Sequence, residues 1–173
     1  MDSTIVNKVA NSGLVTIELE NQLPKNPRLV IDLADQLFQG LVLREKDFRE
    51  WISLHDWNLY NDAMVAVHCS ADAIVPQWAF MLVATKLGQK AKLVIQGDAQ
   101  DLDLFIAHEM VQALNIADYQ DAKIIIKGCS DASINGHAYT LLAFNLQPVA
   151  KSIMFGEPCS TVPLYKRVDK HAQ

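Results

Sequence analysis

Three cysteines occur in this chain of 173 residues, and a serine directly follows each of them, after Cys69, Cys129 and Cys159. In a chain of this composition a serine follows a given residue about one time in twenty, so three such pairs indicate that the cysteines are placed. Each cysteine comes at or just after an apolar run, which predicts a position at the end of a strand. Thiolates bind soft metal ions and attack electrophiles, so the cysteines indicate two chemistries, metal binding and nucleophilic catalysis.

The surroundings of the cysteines offer further metal ligands. Because parallel strands end at a common edge of a sheet, we expect all three thiols at one edge of one sheet. Three thiolates and a fourth ligand suit zinc or iron, as a single ion or as a cluster. The predicted ligands are Cys69, Cys129, Cys159, Asp98, Glu157 and His68, and the predicted cofactor contacts are Ser70, Ser130 and Ser160.

Two features of the sequence weigh against this site. The chain has no Cys-x-x-Cys pair, the spacing that fixes two metal ligands on one turn. His68 and Cys69 are adjacent, so both can face one ion only if the strand has already ended there. Each cysteine also has a simpler interpretation as a small buried apolar side chain. Ser70 or Asp72 would then cap a helix that has Pro76 in its first turn, and that helix end would lower the pKa of a nearby thiol.

Two other classes of function remain open. A cysteine-dependent hydrolase or thiol transferase needs a base beside the thiolate; His68 or His137 is the candidate base, and Asp98 or Glu157 would orient it. A non-catalytic interaction protein with structural cysteines is the third hypothesis. The sequence contains no glycine-rich phosphate-binding motif, so we expect no nucleotide cofactor.

Composition limits the partners and the compartment. The net charge is −5 and the isoelectric point about 5.4, which argues against a nucleic-acid partner. No apolar run reaches the roughly 18 residues that cross a bilayer, and the first twenty residues do not have the order of a signal peptide. We therefore expect a cytoplasmic protein with reduced cysteines and no membrane partner, and a homodimer is left open.

The chain repeats itself with a period of about 59 residues. Residues 60–98 and 119–157 share a Tyr-x-Asp-Ala start, a Cys-Ser pair and a glycine followed by an acid at the end. Each copy predicts a strand, a helix and a second strand, and residues 99–115 supply a helix between the copies. Strands that alternate with helices in this way indicate a parallel sheet.

The predicted architecture is a single-domain α/β protein over residues 1–173, with a mainly parallel sheet, flanking helices and an internal βαβ duplication. Half of the residues are hydrophobic, which is enough to form a core without disulfides. Residues 14–20 and 28–34 predict two strands of an N-terminal hairpin. Residues 44–57 predict an amphipathic helix.

Six segments, which run from residue 11 to residue 166, resemble a small bacterial family of uncharacterised proteins of about this length: NSGLVTIELE, GLVLREKDFREWI, HDWNLY, HCSADAIVPQWAFMLVATKL, IKGCSD and AKSIMFGEPCSTVPLYK. The family has no established activity, so the resemblance transfers no catalytic residue. Its genes often neighbour those of iron–sulfur cluster assembly, and the resemblance therefore implies iron–sulfur assembly proteins as partners.

Overall fold

The computed structural model of the protein describes residues 13–128, 134–157 and 160–168. Within them the predicted mixed α/β class is confirmed. The strands and helices are β1 (Leu14–Glu18), β2 (Arg28–Asp32), α1 (Glu45–Leu54), β3 (Met64–His68), α2 (Gln77–Leu87), β4 (Leu93–Gln96), α3 (Ala99–Gln112), β5 (Lys123–Lys127), α4 (Gly136–Leu146), β6 (Ser152–Glu157) and β7 (Ser160–Lys166). None of the described helices is both long and apolar enough to cross a membrane.

The chain folds into two compact units. Residues 25–105 form what we call the middle unit. Residues up to 24, together with those from 106 onward, form the terminal unit. Each unit has its own sheet. The single domain over residues 1–173 stays a prediction.

The middle unit contains a three-stranded parallel sheet in the order β2-β3-β4. The central strand β3 is buried from Met64 to Val67, which explains its continuous apolar run, because a central strand of a parallel sheet is covered on both faces. Its Val65 and Val67 belong to a core with α1 and α2. Phe48 and Ile52 form the buried face of α1, as the amphipathic pattern predicts.

The terminal unit contains a four-stranded sheet in the order β1-β5-β6-β7. The first three strands are parallel, and β7 pairs antiparallel with β6 at the edge. Ile124 and Ile126 of the central strand β5 pack in a core with Leu142 and Leu146 of α4. The strand β3 and its inner counterpart β5, which we call the central strands, are therefore each an apolar run that ends in a polar residue. The strand β6 is the second inner strand of the four-stranded sheet.

The repeat predicted from the sequence is a structural repeat. The strand β5 begins 59 residues after β3 (123 against 64), and α4 and β6 follow α2 and β4 at the same interval (136 against 77 and 152 against 93). Asp62 and Asp121 both have a φ of 57°. Their N–H groups donate to equivalent carbonyl oxygens, those of Lys90 and Val149, at 2.9 Å each. The two copies thus share backbone detail as well as element order.

The predicted N-terminal hairpin is wrong. The strands β1 and β2 form, but β1 pairs parallel with β5, whereas β2 pairs parallel with β3. Each of them completes the sheet of one unit by covering a free edge of its apolar central strand. A local pattern of two apolar runs and a polar turn predicts the strands, but the backbone groups of a strand can pair with any free edge.

The prediction that the strands before the cysteines belong to one sheet is also wrong. Cys69 follows β3 in the sheet of the middle unit, whereas β5 belongs to the sheet of the terminal unit. The helix expected directly after Ser70 begins only at Gln77, with Pro76 as its N-cap. Ser70 is therefore not a helix cap, and Cys69 does not lie at a helix end.

The positive φ at Asp62 generates a first prediction. Replacement by glycine should leave the free energy of unfolding nearly unchanged, because glycine adopts positive φ without a Cβ clash. Replacement by valine should lower it by about 1–2 kcal/mol, because a β-branched side chain is strained there. Urea denaturation measures both changes, and Asn61→Val, at φ −57°, is the matched control. Equal losses in the free energy of unfolding for the glycine and valine variants would show that removal of the Asp62 carboxylate, and not strain at positive φ, causes the loss.

The ion pair between Asp121 and Arg167 generates a second prediction. The Arg167 guanidinium, which also donates to the carbonyl of Ala150 at 2.9 Å, lowers the pKa of Asp121 from its ordinary value of 3.8, through a hydrogen bond first and its charge second. Because the folded pKa lies below the unfolded one, the pair stabilises the fold above about pH 4, and this is lost as pH falls through the folded pKa.

We therefore expect Asp121→Asn to be less stable than the native protein at pH 7, and the difference to shrink as pH falls below about 4. Thermal unfolding across pH measures the difference, and high salt should reduce it because the pair is exposed. A difference that is constant over the whole pH range would contradict an electrostatic origin.

Candidate functional site

The carboxyl edge of the middle unit brings an acid and a histidine together. Asp32 ends β2, His68 ends β3, and the two residues are register partners in the sheet. The Nε2 atom of His68 lies 3.8 Å from Oδ2 of Asp32. The other oxygen, Oδ1, accepts hydrogen bonds from the N–H groups of Ala34 at 2.9 Å and Ser70 at 3.0 Å. Asp32 therefore holds the segment that follows β3 and lies close to one side of the imidazole.

The carboxylate form of Asp32 is the stable one at neutral pH. Burial raises its pKa, but hydrogen bonds from Ser70 and Ala34 and the charge of His68 outweigh burial, and the pKa is lowered overall. A carboxylate that accepts a hydrogen bond from one nitrogen of an imidazole fixes the tautomer and leaves the other nitrogen for a metal ion or a proton transfer. At 3.8 Å Asp32 lies near His68 without such a hydrogen bond, so the edge holds an acid and an imidazole, the two groups that both predicted chemistries use.

Beside this pair lies an open pocket of about 380 Å³. Both His68 and Cys69 line it, because β3 ends at His68 and strict alternation of side chains ends with it. Both residues are half-buried, and the thiol of Cys69 donates to the carbonyl of Ala71 at 3.7 Å. The remaining lining residues are Ala73, Val75, Phe80, Gln96 and Gly97. The two adjacent residues can therefore face the same pocket, although adjacent residues within a strand point to opposite faces.

Asp98, a predicted fourth ligand, caps the helix that follows it. Its Oδ1 accepts from the N–H groups of Gln100 at 2.7 Å and Asp101 at 3.0 Å. These hydrogen bonds, and the charge of His68, lower its pKa. Gly97, which has a φ of 154°, precedes it because a Cβ there would lie 2.6 Å from the Asp101 side chain. Asp98 is exposed, and it adds negative charge at this edge.

The terminal unit carries a related arrangement at the ends of its strands. Glu18 ends β1, Lys127 ends β5, and they are register partners. The ammonium of Lys127 lies 3.3 Å from Oε1 of Glu18 and 3.9 Å from Oε2 of Glu157. The hydrogen bond to Glu18, and then the charge of Glu157, raise the pKa of Lys127. Glu157, a predicted metal ligand, therefore lies close to a cation that the protein itself supplies, the ammonium of Lys127.

Ser160 and His137 are two further residues that the sequence predicts for a site. Ser160 begins β7 and is exposed, and His137 stacks on His108 with ring centroids 6.0 Å apart. Within the described ranges no three His, Cys, Asp or Glu residues are grouped so that they could hold a metal ion. The residues Cys129, Ser130 and Cys159 lie outside the described residues.

The sequence reasoning missed Asp32, Glu18 and Lys127. A signal was present, since Lys127 lies 59 residues after His68 and is therefore its counterpart in the repeat. The two acids end similar runs, LVID and VTIE. Without the strand pairing, nothing connected either acid with the central strand of its sheet.

Comparisons with known proteins place the chain in a family. A search among curated proteins and a search among solved structures each found no match. Residues 3–167 match the family DUF2480, which is described as a protein of unknown function. This agrees with the resemblance to an uncharacterised family, and the match covers nearly the whole chain. The chain therefore belongs to the DUF2480 family.

Proposed function

We propose that the protein binds a transition-metal ion at the carboxyl edge of the middle unit, with Cys69 and His68 as ligands. The single observation that carries the proposal is that these two side chains line one open pocket beside the carboxylate of Asp32. Thiolate and imidazole are the donors that zinc, iron and copper prefer in proteins.

The surroundings of the two ligands support this proposal. Asp32 lies 3.8 Å from the imidazole, close to where many metal sites have an outer-shell carboxylate that orients the ring and raises its basicity. Asp32 and Asp98 both carry negative charge at this edge, which favours a cation over an anion. The open pocket leaves coordination positions for water, a substrate or the sulfides of an iron–sulfur cluster. The contribution of Cys129 and Cys159 is a separate question that the same measurements address.

Cobalt provides a direct test of the thiolate ligand. Titration of the metal-free protein with Co²⁺ should produce the charge-transfer absorption of a thiolate–cobalt bond, with about one ion bound per chain. Cys69→Ser should abolish this absorption with little loss of fold, because the thiolate is removed while the volume is nearly kept. Asp32→Asn should weaken binding by about 10–100-fold, because the outer-shell carboxylate is lost.

The matched control is the single variant His55→Asn, whereas Cys129→Ser and Cys159→Ser measure whether those two cysteines contribute to binding. His55 lies in an aromatic cluster of the same unit, with its ring 4.9 Å from that of Trp51. Elemental analysis and an absorption spectrum of protein purified without oxygen or added metal then distinguish a single ion from an iron–sulfur cluster. Unchanged cobalt absorption in Cys69→Ser would overturn the proposal for Cys69.

The same pocket favours a second candidate function, a thiol nucleophile with His68 as its base. This requires that Cys69 reacts as a thiolate, which the imidazole would promote by accepting its proton. Cys69 should then be alkylated at neutral pH faster than Cys129 and Cys159, and His68→Asn should slow the reaction of Cys69 about 10-fold or more. Mass spectrometry of iodoacetamide-treated protein measures each rate. Equal, slow reaction of all three thiols would argue against a catalytic cysteine.

A further inference from the structure

The two sheets end in matching sets of charged residues. In each unit an acid ends the first strand and pairs in register with the last residue of the central strand, as Asp32 does with His68 and Glu18 with Lys127. The third strand is followed in the middle unit by Gly97-Asp98 and ends in the terminal unit with Gly156-Glu157. Each unit therefore has two carboxylates, which flank the position where its central strand ends.

The residue at this central position differs between the units. In the terminal unit it is Lys127, whose ammonium contacts both carboxylates and whose pKa is raised by them. In the middle unit it is His68, whose imidazole is shorter than a lysine side chain. The equivalent position beside Asp32 and Asp98 is therefore not occupied by a lysine.

The residues beside the two central positions also differ between the units. Phe80 and Gln96 line the open pocket of the middle unit. Their counterparts 59 residues later are Tyr139 and Phe155, whose rings contact each other edge to face with centroids 5.6 Å apart. An aromatic pair thus occupies, in the terminal unit, positions that line the pocket in the middle unit.

We propose that the strand ends of both units are cation sites, one filled by the protein and one filled from outside. The Lys127 ammonium is the built-in occupant in the terminal unit. The edge of the middle unit receives a small cation, a metal ion or a primary ammonium group, near Asp32 and Asp98. The part that concerns the middle unit rests on the proposed function, whereas the part that concerns Lys127 does not.

Cation-dependent thermal stability tests both parts. The full-length protein is unfolded by heat in Co²⁺ or ethylammonium chloride, and sodium chloride of equal ionic strength is the reference. Lys127→Ala should lower the melting temperature, and one of the two cations should raise it again by roughly 2–4 °C at several times its dissociation constant, because it replaces the missing ammonium. The matched control Lys127→Arg, which keeps the charge, should show no added shift over the native protein.

The second arm concerns the middle unit. His68→Lys supplies an internal ammonium there and should abolish the cation-dependent shift of the native protein. The proposal is overturned if Lys127→Ala shows no larger shift than Lys127→Arg, or if His68→Lys keeps the native shift. If Lys127→Ala alone gains a shift and the native protein shows neither a shift nor cobalt absorption, the proposed function fails while the assignment of Lys127 stands. Comparison of Co²⁺ with ethylammonium decides between a metal ion and an amine.

Discussion

The fold depends on one constraint, the burial of an apolar central strand in each sheet. The strands β3 and β5 are buried over most of their length, so they need a parallel neighbour on each edge and cover on their faces. Each gains one neighbour from the βαβ repeat, as β4 and β6, and the other from the N-terminal part of the chain, as β2 and β1. The polar residue that ends each central strand then emerges beside the ends of both neighbours.

This arrangement explains why the site lies where it does. Backbone pairing fixes the register, and register places Asp32 next to His68 although 36 residues separate them along the chain (68 against 32). The segment that follows β3 is held by the same carboxylate, through the N–H group of Ser70. A single side chain at a strand end thus holds the backbone after Cys69 and lies close to the imidazole.

The duplication supplies an internal comparison that is independent of any other protein. The equivalent positions of the two cores keep their apolar character, as Val83 and Leu142 show by packing in the same way in their respective units. The equivalent positions at the strand ends keep the acids but exchange histidine for lysine. The buried positions of the two copies are therefore alike, whereas the charges at their strand ends differ. A binding site at the strand ends of one unit and a structural ion pair at those of the other would produce such a difference.

Several elements could be predicted from the sequence because their causes are local. The face of α1 that contains Phe48 and Ile52 follows from helical periodicity, and the equal lengths of the two copies follow from the repeat at 59 residues. The prediction of His68 and Cys69 as candidate residues rests on residue type and on their position at the end of an apolar run, and both line the pocket. The presence of these elements and the candidate residues near them thus follow from neighbouring residues.

The pairing of strands could not be predicted in this way. The backbone groups of a strand can pair with any free edge, so a polar turn between β1 and β2 favoured a hairpin that does not form. The assignment of β3 and β5 to different sheets depends on which strand covers each central strand, a pairing between distant parts of the chain.

By itself, then, the sequence determined the α/β class, the duplication and the chemical types of residue at the strand ends, because these depend on periodicity and composition. Only the tertiary structure decided which acid faces which base, since Asp32 and Glu18 reach His68 and Lys127 through register with distant strands. Charges interact through space, and neither the distance from Lys127 to its two glutamates nor the pocket beside Cys69 exists until those strands pair.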